Sequence, residues 1–543
     1  MEKLSLNKNP IIFLMQYTSC IVPFKLMPSQ SNTKRIARNT LMLYFRQILI
    51  MAVSLYTVRV VLDVLGAEDF GIYGVVGGVV TFFSFLSGTM ASATQRFFSF
   101  ALGKNDEERL KQSFCVNLVI YVLIALVALL LLETIGLWFV HNRLSVPAER
   151  FSAACSLFQF TVLSFLASII TSPFLAIVIA HEDMHIYASI SIVEVFLKLV
   201  IVFLLKIIAF DKLVLYGLLM FVIQLCIAFV YLFVCEKKYS ECQFRKLHWN
   251  GTLFKETIDF TGWSLFGAFT SVGRNQAVTI LLNQFFTPVV IAARTIAVTV
   301  SGRINTFSAN FNTSLYPPII KEYAANNKEG MFRLIFNGSK MTFFLMWVFA
   351  LPLFLHMDYV LSLWLKNPPE NAVLFTRLAL LESVINASAL PLMTAARAQG
   401  KMKWYELPLG SVQLLIFIAD WIFLHYGFGA WIVFIVAAAG NIVMYVMRLV
   451  FVKILVGLPA RKFIKNVLFP IFVIAITSVV PSYFVARAFS AGFLFVAFSV
   501  LFSVVVTSAF MYAFGMDKTS RKKVYTVVKN KIGFIRLPKR ENV

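Results

Sequence analysis

The sequence predicts an all-α polytopic membrane protein with about fourteen transmembrane helices. Three observations carry that prediction. Apolar residues fill 59% of the 543 positions and charged residues only 14%, at a mean hydropathy of +0.80. A water-soluble chain of this length could not hide so much apolar surface. The apolar residues also fall into runs of roughly 20 or more, the length that crosses a bilayer, separated by short polar turns. Finally, Lys and Arg collect in alternate turns, so the net charge of +23 orients a membrane protein and does not mark a nucleic-acid binder.

The runs lie near 39–62, 70–97, 114–140, 153–180, 186–207, 212–235, 256–283, 289–317, 334–356, 372–397, 404–426, 429–452, 463–486 and 491–515. Gly66-Ala67-Glu68-Asp69 divides the first pair, and Asn367-Pro368-Pro369-Glu370 the ninth from the tenth. Basic residues follow the even-numbered runs: Lys104, Arg109 and Lys111; Lys237, Lys238, Arg245, Lys246 and Lys255; Lys321, Lys328 and Arg333; Arg397, Lys401 and Lys403; Lys453, Arg461, Lys462 and Lys465. The opposite turns carry few. The positive-inside rule therefore expects both termini in the cytoplasm, which requires an even number of spans.

Residues 1–26 hold an apolar stretch interrupted by Gln16 and Pro23, too short to span and without a small-residue cleavage site. The polar lead-in from Met27 points to Met27 as the physiological start and to 1–26 as an extension. A weak internal repeat links Leu102-Gly-Lys-Asn-Asp-Glu-Glu-Arg-Leu with Glu322-Tyr-Ala-Ala-Asn-Asn-Lys-Glu-Gly-Met-Phe-Arg, about 220 residues apart. An offset of six spans preserves orientation, so the halves are expected to be parallel repeats. The expected layout is an N-lobe of six helices over 27–235, a basic linker over 236–255, a C-lobe of six over 256–455, two further helices over 456–515 and a basic tail over 516–543.

Span 1 reads Arg38-Asn-Thr-Leu-Met-Leu-Tyr-Phe-Arg-Gln and continues Ser54-Leu-Tyr-Thr-Val-Arg-Val-Val-Leu-Asp-Val-Leu-Gly-Ala-Glu-Asp-Phe-Gly-Ile-Tyr; span 2 ends Ala91-Ser-Ala-Thr-Gln-Arg-Phe-Phe. This resembles the bacterial polysaccharide transporters of the multidrug/oligosaccharidyl-lipid/polysaccharide exporter superfamily, the group that contains O-antigen and capsule flippases. The resemblance implies two six-helix lobes around a cavity lined by spans 1, 2, 7 and 8. It implies alternating access in the bacterial inner membrane, with an undecaprenyl-pyrophosphate-linked oligosaccharide as cargo and surface-polysaccharide biosynthesis as the setting. Polysaccharide polymerase and glycosyltransferases are then the expected partners besides membrane lipids. No cofactor is implied, and the chain has no nucleotide-binding loop.

Charged residues inside spans are costly, so each needs a partner, water or an anion. On a helical wheel Arg46 aligns with Asn39 and Thr57, beside Gln47 and Ser54. Arg274 shares a face with Ser264, Gly267, Ser271 and Asn275. Arg303 lies on a stripe of Thr299, Thr306, Asn310 and Ser314, while Arg294 lies on the other side with Ser301, Asn305 and Asn312. The functional expectation is that Arg46, Arg274 and Arg303, with Asn275, Gln47 and Arg294 nearby, form a cationic cavity for a pyrophosphate, since guanidinium pairs bidentately with phosphate oxygens. The alternative is that each Arg is satisfied by a neighbouring helix. Arg59 is expected to pair with Asp63 or reach the interface, and Arg96 and Arg377 to anchor at span ends. Glu194 and Lys198 are spaced as a helical ion pair. With the unpaired acids Glu382 and Asp420 they are the candidates for proton or sodium coupling.

Two competing functions follow from the same residues. A cation-coupled multidrug exporter of the superfamily would need a buried acid in its cavity; a lipid II flippase would share the anionic cargo. A remote third comes from His181-Glu182-Asp183-Met184-His185, which matches the H-E-x-x-H zinc-protease pattern and would make an intramembrane metalloprotease. It falls at a span junction without a third ligand, so a polar turn is the expected reading. The six cysteines, Cys20, Cys115, Cys155, Cys226, Cys235 and Cys242, have no framework spacing and are read as structural.

Overall fold

The computed structural model describes residues 32–143, 147–208, 210–242, 248–365, 367–488, 492–516 and 521. Every regular element among them is helical. The expected start at Met27, Cys20, the linker residues Arg245 and Lys246 and most of the basic tail lie outside the described residues. Among the described residues, eleven helices are long and apolar enough to cross a membrane, or twelve if the bent pair Glu68–Val80 and Ser84–Gly103 is one span. Two more, Gly251–Phe285 and Pro288–Ala324, have 35 and 37 residues and exceed a membrane's thickness. They fall short on apolarity alone, and they are the seventh and eighth runs, which hold Arg274, Arg294 and Arg303.

The chain divides into two compact units, residues 1–81 with 124–239, and residues 82–123 with 240–543. In the first, α1 (Asn32–Phe82) is broken at Gly66, whose φ of 79° lies in the region open to glycine. The helix α3 (Glu107–Leu131) enters this unit at residue 124 and runs through a π-helical turn into α4 (Leu137–Arg143). Then come α5 (Phe151–Ala180), α6 (Met184–Ile207) and α7 (Lys212–Lys238). The close pair is α5 and α7: a Cβ on Gly217 would come within 2.8 Å of Leu157 Cδ1, so the missing side chain admits the leucine. At one end Arg150 clamps α1 and α7 together, pairing with Asp69 and, at 2.6 Å, with Asp211. Asp211 also caps α7, accepting from the amides of Leu213 and Val214 at 3.0 and 3.1 Å.

The second unit holds α2 (Ser84–Gly103), the start of α3, α8 (Gly251–Phe285), α9 (Pro288–Ala324), α10 (Lys328–Leu355), α11 (Met357–Leu365), α12 (Ala372–Ala387), α13 (Leu390–Ala398), α14 (Lys403–His425), α15 (Ile432–Val456), α16 (Ala460–Phe463), α17 (Phe469–Ala488) and α18 (Phe493–Phe510). The two segments of the sequence repeat form like turns. Asn105 and Asn326, 221 residues apart (326 − 105), both take positive φ, 54° and 59°. After each, an Asx side chain caps the next helix: Asp106 accepts from the Arg109 amide at 2.9 Å, and Asn327 from the Gly330 amide at 3.0 Å. The two turns also touch. A Cβ on Gly103 would stand 2.7 Å from Lys321 Cα, so the ends of α2 and α9 are in backbone contact.

The last two helices dock through hydroxyls. Ser478 and Ser482 on α17, and Ser499, Ser503 and Thr507 on α18, recur every four residues and are buried. Trp347 on α10 donates its indole N–H to Ser478 at 2.9 Å, and His356 lies 2.8 Å from Ser499. The opposite face of α18 is bare: Phe493, Leu494, Phe498, Leu501 and Val505 are all exposed. Small polar residues facing protein and large apolar ones facing out is the pattern of a helix in lipid, where hydrophobicity cannot drive packing and hydroxyls can.

Candidate functional site: a buried mixed-charge cluster

In the first unit the predicted cavity arginine is turned inward. Arg46 is 7% exposed, its Nη1 donates to Ser191 Oγ at 3.3 Å, and its guanidinium lies 4.2 Å over the Tyr187 ring. Both partners sit on α6, so a neighbouring helix engages Arg46 in part, while its buried Nε has no hydrogen-bond partner, and the adjacent Gln47 is half-buried. Glu194 and Lys198, one turn apart on α6, pair at 2.5 Å. Arg59 is exposed, while the acid expected beside it, Asp63, lies 4.0 Å from Lys206.

The H-E-x-x-H residues do not share one helix. The chain leaves α5 at Ala180 and starts α6 at Met184, with Glu182 at φ 65° between them. Arg35 pairs with Glu182 Oε2 at 2.7 Å, and Asn39 donates to the Glu182 carbonyl at 3.1 Å. His181 stacks on Tyr239 with ring centroids 4.5 Å apart. The turn thereby ties α1 to the α5–α6 junction, and its carboxylate is held by Arg35. At the next residue, burial alone would raise the Asp183 carboxyl. Hydrogen bonds from Lys238, at 2.9 Å, and Tyr239, at 2.7 Å, outweigh that and hold it below the usual carboxylate range.

The second unit gathers several predicted residues from separate helices. Arg274 on α8 is 10% exposed at its side chain and lies 3.7 Å from Glu382 Oε1 on α12. Glu382, expected to be unpaired, also accepts from Asn441 Nδ2 on α15 at 2.8 Å. Arg294 on α9 donates to Thr279 and, at 3.3 Å, to the Asn275 carbonyl. Asn275 thus contributes its backbone, and its side chain stays exposed. Asp420 on α14 is fully buried, and neither carboxylate oxygen has a hydrogen-bond partner. Arg274, Arg294 and Glu382 are all within its electrostatic reach. Of the residues expected to line a cationic cavity, Arg274 and Arg294 are here gathered with two acids, Glu382 and Asp420.

Arg303 stands apart. It is exposed on α9, with no hydrogen bond, ion pair or ring contact among the described residues. Arg96 departs from expectation. It is 5% exposed, donating to the Ala398 carbonyl at 3.0 Å and lying near the rings of Phe97, Phe100 and Phe260. It is therefore a core residue, not an interfacial anchor. Its guanidinium fills the space above Gly400, where φ is +88° and a Cβ would collide with it. Arg377 is half-buried and pairs with Asp358 at 2.7 Å.

A second polar network had no signal in the sequence beyond single charges at span ends. Arg397 donates to Ser92 Oγ at 3.2 Å, Tyr316 donates to the Ser92 carbonyl at 2.9 Å, and buried Glu406 lies within electrostatic reach of Arg397 and Arg448. A Cβ at Gly267 would strike the Glu406 carboxylate, so glycine there makes room for it.

The MatE family model matches residues 43–204. No curated protein matches the chain. Several solved structures share its fold. An outward-facing multidrug resistance MATE family transporter of the MOP superfamily aligns at a TM-score of 0.69 and 15% identity, over 80% of this chain and 99% of that one. A MATE structure in the bent conformation aligns at 0.68 and 14%, over 80% and 97%. A Vibrio cholerae MATE transporter variant aligns at 0.59 and 16%, over 78% and 96%. The chain therefore has the MATE fold. A fifth of its length has no counterpart in the first of these structures.

Proposed function

We propose that the protein is an alternating-access exporter coupled to a proton or monovalent cation at Asp420 and Glu382. The observation that carries this reading is Asp420: a buried carboxylate without a hydrogen bond is costly in a membrane unless a proton or cation neutralises it. Two arginines and a second acid within reach make that neutralisation responsive to its surroundings. The fold is compatible with the same reading, because one of the structures it matches is described as a multidrug resistance transporter, and a drug exporter of that kind usually needs a buried acid. Transport of an organic cation by the protein in proteoliposomes under an imposed proton or sodium gradient tests it. Asp420→Asn is expected to abolish gradient-driven accumulation while leaving the protein folded; unchanged accumulation would overturn the coupling role.

A second cargo reading rests on Arg303. An exposed guanidinium with no acid beside it, on a spanning-length helix too polar for bulk lipid, suits an anion better than a cation. Together with the sequence resemblance to polysaccharide transporters, it supports a polyprenyl-pyrophosphate-linked oligosaccharide flipped across the bacterial inner membrane. With the interior negative, outward movement of an anion is downhill by about 2.3 kcal/mol per charge per 100 mV. Arg274 serves this reading less well than expected, being engaged by Glu382. A fluorescent undecaprenyl-pyrophosphate glycan in the same proteoliposomes separates the two. Glycan flipping that falls at least tenfold in Arg303→Ala establishes the flippase, whereas drug efflux without glycan flipping rejects it.

A further inference from the structure

At one end of the second unit, the first half of α10 meets α16 and the start of α17 around a cavity of about 720 Å³. Arg333 and Lys340 line it from α10, and Lys462 and Lys465 from the chain around α16. Glu329 is the acid in the lining, which leaves a formal balance of +3 (four cations less one anion). The convergence is built by helix geometry. Arg333 and Lys340 are seven residues apart, two turns along one face, and Lys462 and Lys465 are three apart, one turn along another. Lys465 lies in the π-helical stretch Ile464–Leu468, a distortion frequent at functional sites. Phe336 packs edge-on against Phe463 at 5.6 Å and fixes the two faces at this separation. Lys340 is only 5% exposed, so one cation is built into the floor.

Arg333, Lys462 and Lys465 brought together repel one another, and a multivalent anion among them relieves that cost. The rest of the wall narrows its identity. Phe336 and Phe514 line the same space, and Phe514, Ile464 and Phe469 present exposed apolar surface next to it. A charged recess opening onto a bare apolar face fits an amphiphile whose head carries phosphate. These residues follow the eighth and twelfth runs and end the fourteenth, the turns that the distribution of Lys and Arg assigns to the cytoplasm. Basic pockets between helices on that side are suited to phosphate head groups of the inner leaflet.

We propose that this cavity binds a phosphate-bearing anion, with an anionic phospholipid head group as the source its apolar rim favours. The site is separate from the Asp420 cluster and does not depend on which cargo the protein carries.

The test uses the full chain purified in detergent, with native mass spectrometry and thermal stability read in parallel. Phosphatidylglycerol, phosphatidylcholine and inorganic phosphate are added in turn. The triple variant Arg333→Gln, Lys462→Gln, Lys465→Gln is compared with a charge-matched control, Lys237→Gln, Lys255→Gln, Lys401→Gln, whose positions line none of the cavity. Retention of phosphatidylglycerol over phosphatidylcholine by the wild type and control, with roughly hundredfold weaker binding in the triple variant, supports the lipid head group. Equal stabilisation by inorganic phosphate, lost in the same variant, supports the site with a free anion as its source. Lys465→Gln alone, at an exposed position, gives a milder loss of about fivefold if the triple variant does not fold. Equal phosphatidylglycerol binding by variant and control, or a wild type indifferent to all three additives, overturns the proposal.

Discussion

Replacing Gly103 by Ala isolates the close approach of the two repeat ends. The new Cβ would stand 2.7 Å from Lys321 Cα, 2.8 Å from the Lys321 carbonyl oxygen and 2.9 Å from Ala324 Cβ. All three are below the 3.0 Å that real Cβ atoms respect, and the first two belong to backbone that cannot rotate away. Overpacking of this kind costs about 1–3 kcal/mol. Working against it, Ala is favoured over Gly inside a helix by about 0.8–1.0 kcal/mol, and by less at a helix end. Gly88 supplies the internal control, because it lies on the same helix with nothing within 4 Å of its would-be Cβ. Gly88→Ala should therefore gain stability, and Gly103→Ala should lose it. The gap between the two is at least the overpacking cost, about 1–3 kcal/mol, or roughly a 5- to 150-fold difference in the folded-to-unfolded ratio, because the helix-interior gain at Gly88 exceeds that at the helix end. Thermal unfolding of the two detergent-purified variants, followed by tryptophan fluorescence, measures it. A Gly103→Ala protein as stable as Gly88→Ala would refute the claim that α2 and α9 meet backbone to backbone.

Other outcomes follow from the same contacts. Burial opposes ionisation of Asp211, but its hydrogen bonds from the Val214 amide and Arg150 prevail and hold its carboxyl below the usual carboxylate range. A depressed carboxylate contributes stability that is present above the unfolded pKa and lost as pH falls through the folded one. Acid unfolding curves taken from about pH 6 down to about pH 2 should therefore be less steep in Arg150→Ala, which removes one cause of the shift; both partners are partly exposed, so the loss at neutral pH is about 1 kcal/mol or less. Arg96→Lys should destabilise by about 2 kcal/mol or more in thermal unfolding, because a point charge cannot lie flat among three rings and reach the Ala398 carbonyl together. Wild-type stability in the Arg96→Lys protein would show that the guanidinium plane is not what the site requires.

The all-helical class, the positions of the long helices and the break at Gly66 were legible because each depends on neighbours in the chain. Apolar runs of spanning length, a glycine amid polar residues and an i,i+4 pair such as Glu194 and Lys198 are local facts, and helix formation is a local process. The two like turns were legible for the same reason: Asn105 and Asn326 both take positive φ, and each precedes an Asx cap. The partners of the buried charges were not legible. Helical-wheel reasoning places Arg46 on a polar face, but cannot show that Tyr187 and Ser191 occupy that face. It likewise leaves Glu382 unpaired until α8, α12 and α15 come together to supply Arg274 and Asn441, and it assigns Arg96 to an interface that the packing of Phe97, Phe100 and Phe260 turns into a core. One-dimensional periodicity gives the direction in which a side chain points. What stands there depends on helices hundreds of residues away, and in a membrane that choice decides whether a charge is a structural tie, an ion site or a binding group.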